Sequence, residues 1–261
     1  ISSMNFKGGA GKTMVSTNLA IAFALEGKKV CLIDTDESFA SVKWAGRRED
    51  AELKPTIPIV QMTESKTITS TVANLAESND IVIIDGPPRL NALVSKIILL
   101  SDLVIIPVPP KSGNDREVTE DFLQEFETIQ ERRPDEGRTS AYLLPNMVKE
   151  SYNLHKAFID SLPELCEDYK VGIFETHLSD LVAFGETNQF GQGVLEQTGK
   201  ATKQFKELLK VTKAVKPMKE VKTSFDISED LHEEMRIHLI RKRVSMKDYL
   251  IGLIKKDLKI K

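Results

Sequence analysis

Short runs dominated by Val, Ile and Leu recur along the chain at 30–34, 57–60, 81–85, 103–107, 141–144 and 171–174. Their apolar character is continuous, so each predicts a strand covered on both faces, as in a parallel sheet wrapped by helices. Helical stretches lie between them. Residues 12–26 form one, ended by Gly27 as a C-cap, and 115–131 form another, stopped ahead of Pro134. A last helix over 197–216 closes the pattern, and Pro217 marks a boundary. The expectation for 1–216 is a doubly wound α/β domain with a mainly parallel sheet. Ligands of such sheets sit beyond the carboxyl ends of the strands, so residues at strand ends carry the functional weight.

A second, smaller unit is expected over 217–261. Residues 222–227 alternate polar and apolar, Ser228 caps one helix and Ser245 caps another, giving a β-α-α order. No internal repeat or low-complexity segment interrupts either unit.

Composition narrows the picture. With 41% hydrophobic and 29% charged residues, 261 residues suffice for one good-sized folded domain and a small appendage. Cys31 and Cys166 stand far apart with no CxxC pair, which argues against a disulfide framework or a cysteine-held cluster and for a reducing cytoplasm. The four histidines, His155, His177, His232 and His238, have no ligand-like spacing. No apolar run approaches the roughly 20 residues that cross a bilayer. A soluble protein without a membrane partner is expected. The net charge of -3 hides an uneven split: residues 200–261 hold 17 Lys+Arg against 9 Asp+Glu, leaving 19 against 30 in residues 1–199. A polyanion such as nucleic acid would therefore meet the carboxyl-terminal end.

The strongest chemical signal stands at the amino end. Lys7-Gly8-Gly9-Ala10-Gly11-Lys12-Thr13 precedes a predicted helix and follows a strand expected to be cut short, since Ile1 stands almost on the loop. Glycines let successive backbone N–H groups turn inward, and the helix amino end adds partial positive charge, so phosphates are the expected ligand. Lys12 is placed to reach β- and γ-phosphates, and the Thr13 hydroxyl to coordinate Mg²⁺. The generic phosphate-loop pattern wants a glycine four residues before Ala10; this chain carries instead an extra lysine at the start of the loop. The runs ending Asp34-Thr35-Asp36 and Asp85-Gly86 deliver carboxylates to the same sheet edge, where one can hold Mg²⁺ through water and another orient the attacking water.

These residues, with Asp85-Gly86-Pro87-Pro88, resemble the deviant phosphate-loop ATPases of the ParA/MinD family over about 215 residues. The resemblance implies a P-loop NTPase domain and a nucleotide-sandwich homodimer. In it Lys7 is the signature lysine that crosses to the partner's phosphates, in the manner of an arginine finger. Asp36 is implied to prepare the hydrolytic water, with Asp34 its companion and Asp85 a magnesium residue acting through water. The usual Pro-Gln after that aspartate is Glu37-Ser38 here, which leaves the placing of the water open. Asn146 falls where relatives contact adenine. The nucleotide-binding set expected is thus Gly8, Gly9, Ala10, Gly11, Lys12, Thr13, Met14 and Asn146, with ATP and Mg²⁺ as cofactors.

On a helical wheel, Lys203, Lys206, Lys210 and Lys213 share one side, with Phe205, Leu208, Thr212 and Val215 roughly opposite. Read plainly, this is a solvated face of snorkelling lysines. Related ATPases bind nonspecific DNA near this end, so the stripe is also a candidate DNA surface. The last forty-odd residues resemble the ribbon-helix-helix family, which would place Lys222, Ser224 and Asp226 on a groove-facing ribbon. Dimerisation alone, or an amphipathic membrane anchor over 249–261, are the other readings of this segment. The function expected is ATP-dependent DNA partition with a ParB-like or small adaptor partner, in the cytoplasm and associated with the nucleoid. A nucleotide-regulated repressor and a MinD-like membrane-associated ATPase are the alternatives.

Overall fold

Seven strands form one sheet: β1 (Ser2–Ser3), β2 (Val30–Asp34), β3 (Ile59–Gln61), β4 (Ile81–Asp85), β5 (Leu103–Val108), β6 (Ser140–Pro145) and β7 (Gly172–Ile173). The structure is a computed structural model, and it describes residues 1–132 and 139–215. Every pairing is parallel, in the order β3-β2-β4-β1-β5-β6-β7. Eight helices accompany them in the described residues: α1 (Lys12–Leu25), α2 (Ala40–Asp50), α3 (Ile68–Ser78), α4 (Ala92–Leu100), α5 (Asp115–Gln130), α6 (Asn153–Tyr169), α7 (Val182–Gln189) and α8 (Lys200–Ala214).

Continuous apolar strands are explained by two cores, one on each face. Leu32, Ile83, Ile105 and Leu144 point to one side, where Leu19 of α1, Trp44 of α2, Phe184 of α7 and Phe205 of α8 cover them. Their neighbours Ile33, Ile84, Val104 and Leu143 point to the other, against Ile68 of α3, Ile97 of α4, Phe122 of α5 and Leu162 of α6. The period of two along each strand thus sorts adjacent residues into different cores. Burying such a side chain is worth about 1.5–3 kcal/mol.

β2 and β4 keep the limits read from sequence. β3 is displaced to Ile59–Gln61, since Pro58 lacks the N–H that a ladder needs at that point. The last helix begins at Lys200 rather than 197: Gly199, at φ 147°, separates it from a short 3-10 turn at Val194–Glu196. Gly27 performs as expected. At φ 80° it takes the left-handed conformation, and the N–H groups of Gly27 and Lys28 close on Ala24 O and Phe23 O at 3.0 and 3.1 Å.

β1 lies between β4 and β5, and the chain leaves it toward β2 on one side and reaches β5 on the other. This is the reversal point at which open α/β sheets form a crevice. The segment read as a β-α-α unit, with Lys222, Ser224 and Asp226, lies outside the described residues, as does the stretch 249–261. No helix of the described residues is long and apolar enough to cross a membrane.

Candidate functional site

The loop from Lys7 to Gly11 joins β1 to α1 at this crevice. Asn5 fastens its start: the side-chain amide donates to Pro107 O at 2.7 Å, and Oδ1 accepts from Lys7 N at 2.9 Å. Gly11 fastens its end. Its φ is 95°, and a Cβ there would collide with Nδ2 of Asn146, so both backbone and space demand glycine. Asn146 itself sits at the end of β6 and donates from Nδ2 to Ala10 O at 2.8 Å, while its Oδ1 accepts from Met147 N. The structure thus places Asn146 as a buried buttress under the loop. Gly8 and Gly9 are exposed with open space beside them, and Ala10 is buried. Met14 is half-buried against the α1 core.

Lys12 is the first residue of α1 and only 6% exposed. Its Nζ donates to Lys7 O at 3.2 Å, which curls the side chain back over the loop. Burial lowers its pKa, and the nearby charges of Asp85 and Asp36 partly offset that effect. The N–H groups of α1's first turn have no partners a turn earlier, so lysine and helix end present positive charge to the same space.

The acidic strand ends meet this lysine. Asp34 and Asp85 stand opposite each other in register on β2 and β4. Asp85 is fully buried and accepts from Thr13 Oγ1 at 2.7 Å, Ser41 Oγ at 2.7 Å and Ser16 Oγ at 3.4 Å. Burial pushes its pKa up to about 6, against the hydroxyl hydrogen bonds, which act the other way. Asp34 is raised as well, mainly by burial, although it accepts from the N–H groups of Asp36 and Val42 at 3.1 and 3.0 Å. Asp36 is half-buried just past the strand, and its Oδ1 accepts from Ser38 N at 2.8 Å. A hydroxyl and two carboxylates, all hard oxygens, are the donor set that suits Mg²⁺ held partly through water and phosphate. The described residues contain no cluster of three or more His, Cys, Asp or Glu placed to hold a metal by themselves.

Lys7 is held within its own chain. Its Nζ forms an ion pair with Asp115 and donates to Ser112 Oγ at 3.3 Å, and Ser112 in turn hydrogen-bonds Asp115 through both its N–H and its hydroxyl. Sequence reasoning misses Asn5, Ser16, Ser41, Ser112 and Asp115. Only Asp115 carries a signal, as a carboxylate opening a helix shortly after a Pro-Pro strand end; the serines are unremarkable as letters.

On α8, Lys203, Lys206, Lys210 and Lys213 are all exposed, while Phe205, Leu208 and Thr212 are buried. The wheel is therefore observed. Lys210 pairs with Glu207 on the same helix at 2.8 Å, and Lys213 pairs across to Glu26 just past the end of α1. His155 accepts from Lys149 N at 2.9 Å and His177 pairs with Glu150 at 3.0 Å, so both have structural partners. Cys31 and Cys166 are free.

Known proteins agree with this architecture. A single-substitution variant of Cyanothece McdA in complex with ATP superposes with a TM-score of 0.67 at 14% identity, over 84% of this chain and 97% of that one. A putative plasmid partition protein from Borrelia burgdorferi B31 bound to AMPPNP gives 0.62 at 15%, over 82% and 97%. In sequence, the maintenance of carboxysome distribution protein A of Halothiobacillus neapolitanus is 32% identical over 111 residues, 41% of this chain and 48% of that protein. The chain thus spans about half the length of the curated relatives it matches. With a seven-stranded parallel sheet, a glycine loop at its reversal point and acidic strand ends around it, and with a match over residues 1–261, the chain belongs to the CobQ/CobB/MinD/ParA nucleotide binding domain family.

Proposed function

We propose that this protein is a positioning ATPase that forms an ATP-dependent dimer, binds DNA without sequence preference and lets go on hydrolysis. The observation that carries the reading is the convergence of Lys12, Thr13, Asp34, Asp36 and Asp85 on the amino end of α1, around the glycine loop. Lys12 and the first-turn amides hold the β- and γ-phosphates of the nucleotide. Thr13 and Asp85, with Asp34 behind them, are the residues that would hold Mg²⁺. When bound, the ion neutralises charge on the transferring phosphoryl group. Asp36 stands beside Lys12 with one carboxylate oxygen turned by Ser38 N, and it orients and deprotonates the attacking water.

Lys7 supplies the second half of the site to a partner chain. For that it leaves Asp115, a buried carboxylate that keeps the N–H and hydroxyl of Ser112, and the charge of the partner's phosphate has to offset the lost ion pair. Dimer formation and loop occupancy are thereby linked. The lysines of α8 meet DNA phosphates; the exposed pairs to Glu207 and Glu26 are weak enough to open. Of the similar proteins, one is a putative plasmid partition protein and another maintains carboxysome distribution. For this chain the basic stripe favours the nucleoid as track with either kind of cargo.

The test is a nucleotide-dependent mass measurement on wild type and Lys7→Ala, run beside DNA retention. The reading expects a dimer with Mg²⁺–ATP in the wild type only, and DNA retention in the same samples. A dimer in both without nucleotide would move the assembly to another surface and remove Lys7 from it.

A further inference from the structure

The segment joining β5 to α5 crosses the mouth of the glycine loop and brings a third lysine to it. Pro109 and Pro110 are buried, and Lys111 N donates to Pro109 O at 2.9 Å, so two fixed proline torsions hold the backbone at this point. The Lys111 side chain is exposed, and its Nζ donates to Gly9 O at 3.3 Å across the rim of the loop. Open space lies beside Gly9 and Gly8.

The three lysines at this mouth are partnered differently. Lys7 is paired with Asp115. Lys12 has Asp85 and Asp36 near enough to favour its charge. Lys111 takes part in none of the ion pairs among the described residues, and its positive charge lies close enough to Lys7 to oppose protonation there. A full ammonium resting on one neutral carbonyl, on a flexible four-carbon stem, exchanges readily for a phosphate oxygen, which adds the attraction of a full negative charge to a hydrogen bond of the same kind.

We propose that Lys111 is a phosphate ligand in cis, leaving Gly9 O to hydrogen-bond the outermost phosphate of the nucleotide seated in its own chain's loop. It rests on the nucleotide reading above and adds to it: with Lys12 beneath the phosphates and Lys111 above, the site distinguishes a triphosphate from a diphosphate before any partner arrives.

Calorimetry on the full chain decides it, with Lys111→Ala and Lys111→Arg titrated with Mg²⁺–ATP and, separately, Mg²⁺–ADP. The expected result is ATP affinity about tenfold weaker in Lys111→Ala, ADP affinity within about twofold of wild type, and most of the ATP loss restored by arginine. Equal weakening for both nucleotides would mean that Lys111 only shapes the loop through Gly9, and would overturn the proposal. So would unchanged affinities for both. If the wild type itself takes up neither nucleotide, the underlying reading fails and this inference falls with it.

Discussion

The two regions to which function is assigned, the crevice at the end of β1 and the outer face of α8, are built on opposite principles. In the crevice the charged groups are mostly buried and have several partners: Asp85 alone accepts from three hydroxyls carried on α1 and α2. On α8 the lysines stand in solvent, two of them in exposed pairs. A buried charge acts through fixed geometry and low local dielectric, so one substitution there removes a defined chemical step. An exposed stripe acts through summed charge, is screened by salt, and changes by increments. Differences in kind are therefore expected between the two regions.

The largest break is expected in the crevice. Asp36→Ala should slow ATP turnover by about 10²–10⁴-fold, the range for loss of a positioned base, with nucleotide binding retained. Turnover and binding measured on the same sample check it; equal loss of both would mean that Asp36 holds the nucleotide or the fold. Next in size, α8 itself can be divided. Phe205→Ala, on the inner face, should lower stability by about 3–5 kcal/mol, whereas Lys206→Ala one residue away should change it by less than about 0.5 kcal/mol, by denaturant unfolding.

Asp85 gives a pH signature that the exposed stripe cannot. Its carboxyl is raised from an ordinary 3.8 to about 6, so between those values the folded chain keeps a proton that the unfolded chain has released. The contribution of Asp85 to folded stability should therefore fall as pH rises through this window, by up to about 3 kcal/mol, and stay low above it. Asp85→Asn should flatten the profile across that window relative to wild type. Parallel profiles would show that the carboxyl titrates normally. The smallest effect belongs to single lysines of α8: each one replaced by Ala should reduce the slope of log DNA affinity against log salt by about 0.9, from about -3.6 with all four in contact. A slope insensitive to these lysines would place DNA binding elsewhere.

Much of the crevice is legible in the sequence because its signals are local. Lys7 to Thr13 are contiguous, and Asp34, Asp36 and Asp85 each end or follow an apolar run, so strand direction alone puts them at one edge. The supporting shell is not legible. Ser41 reaches Asp85 from 44 positions away and Asn146 reaches Ala10 from 136 away, contacts that no spacing encodes. Asn5 escapes notice for the same reason: its importance lies in Pro107 O, 102 residues on. Strand limits hold at β2 and β4, β3 and α8 begin late behind Pro58 and Gly199, and β5, β6 and β7 differ by one residue at one or both ends.

The central claim is that the glycine loop and Lys12 seat a magnesium-loaded adenine nucleotide. Calorimetry of the full chain with Mg²⁺–ATP tests it most directly. One nucleotide per chain should bind to the wild type and to a variant with all four α8 lysines replaced, and none to Lys12→Ala. No uptake by the wild type, or undiminished uptake by Lys12→Ala, would contradict the account.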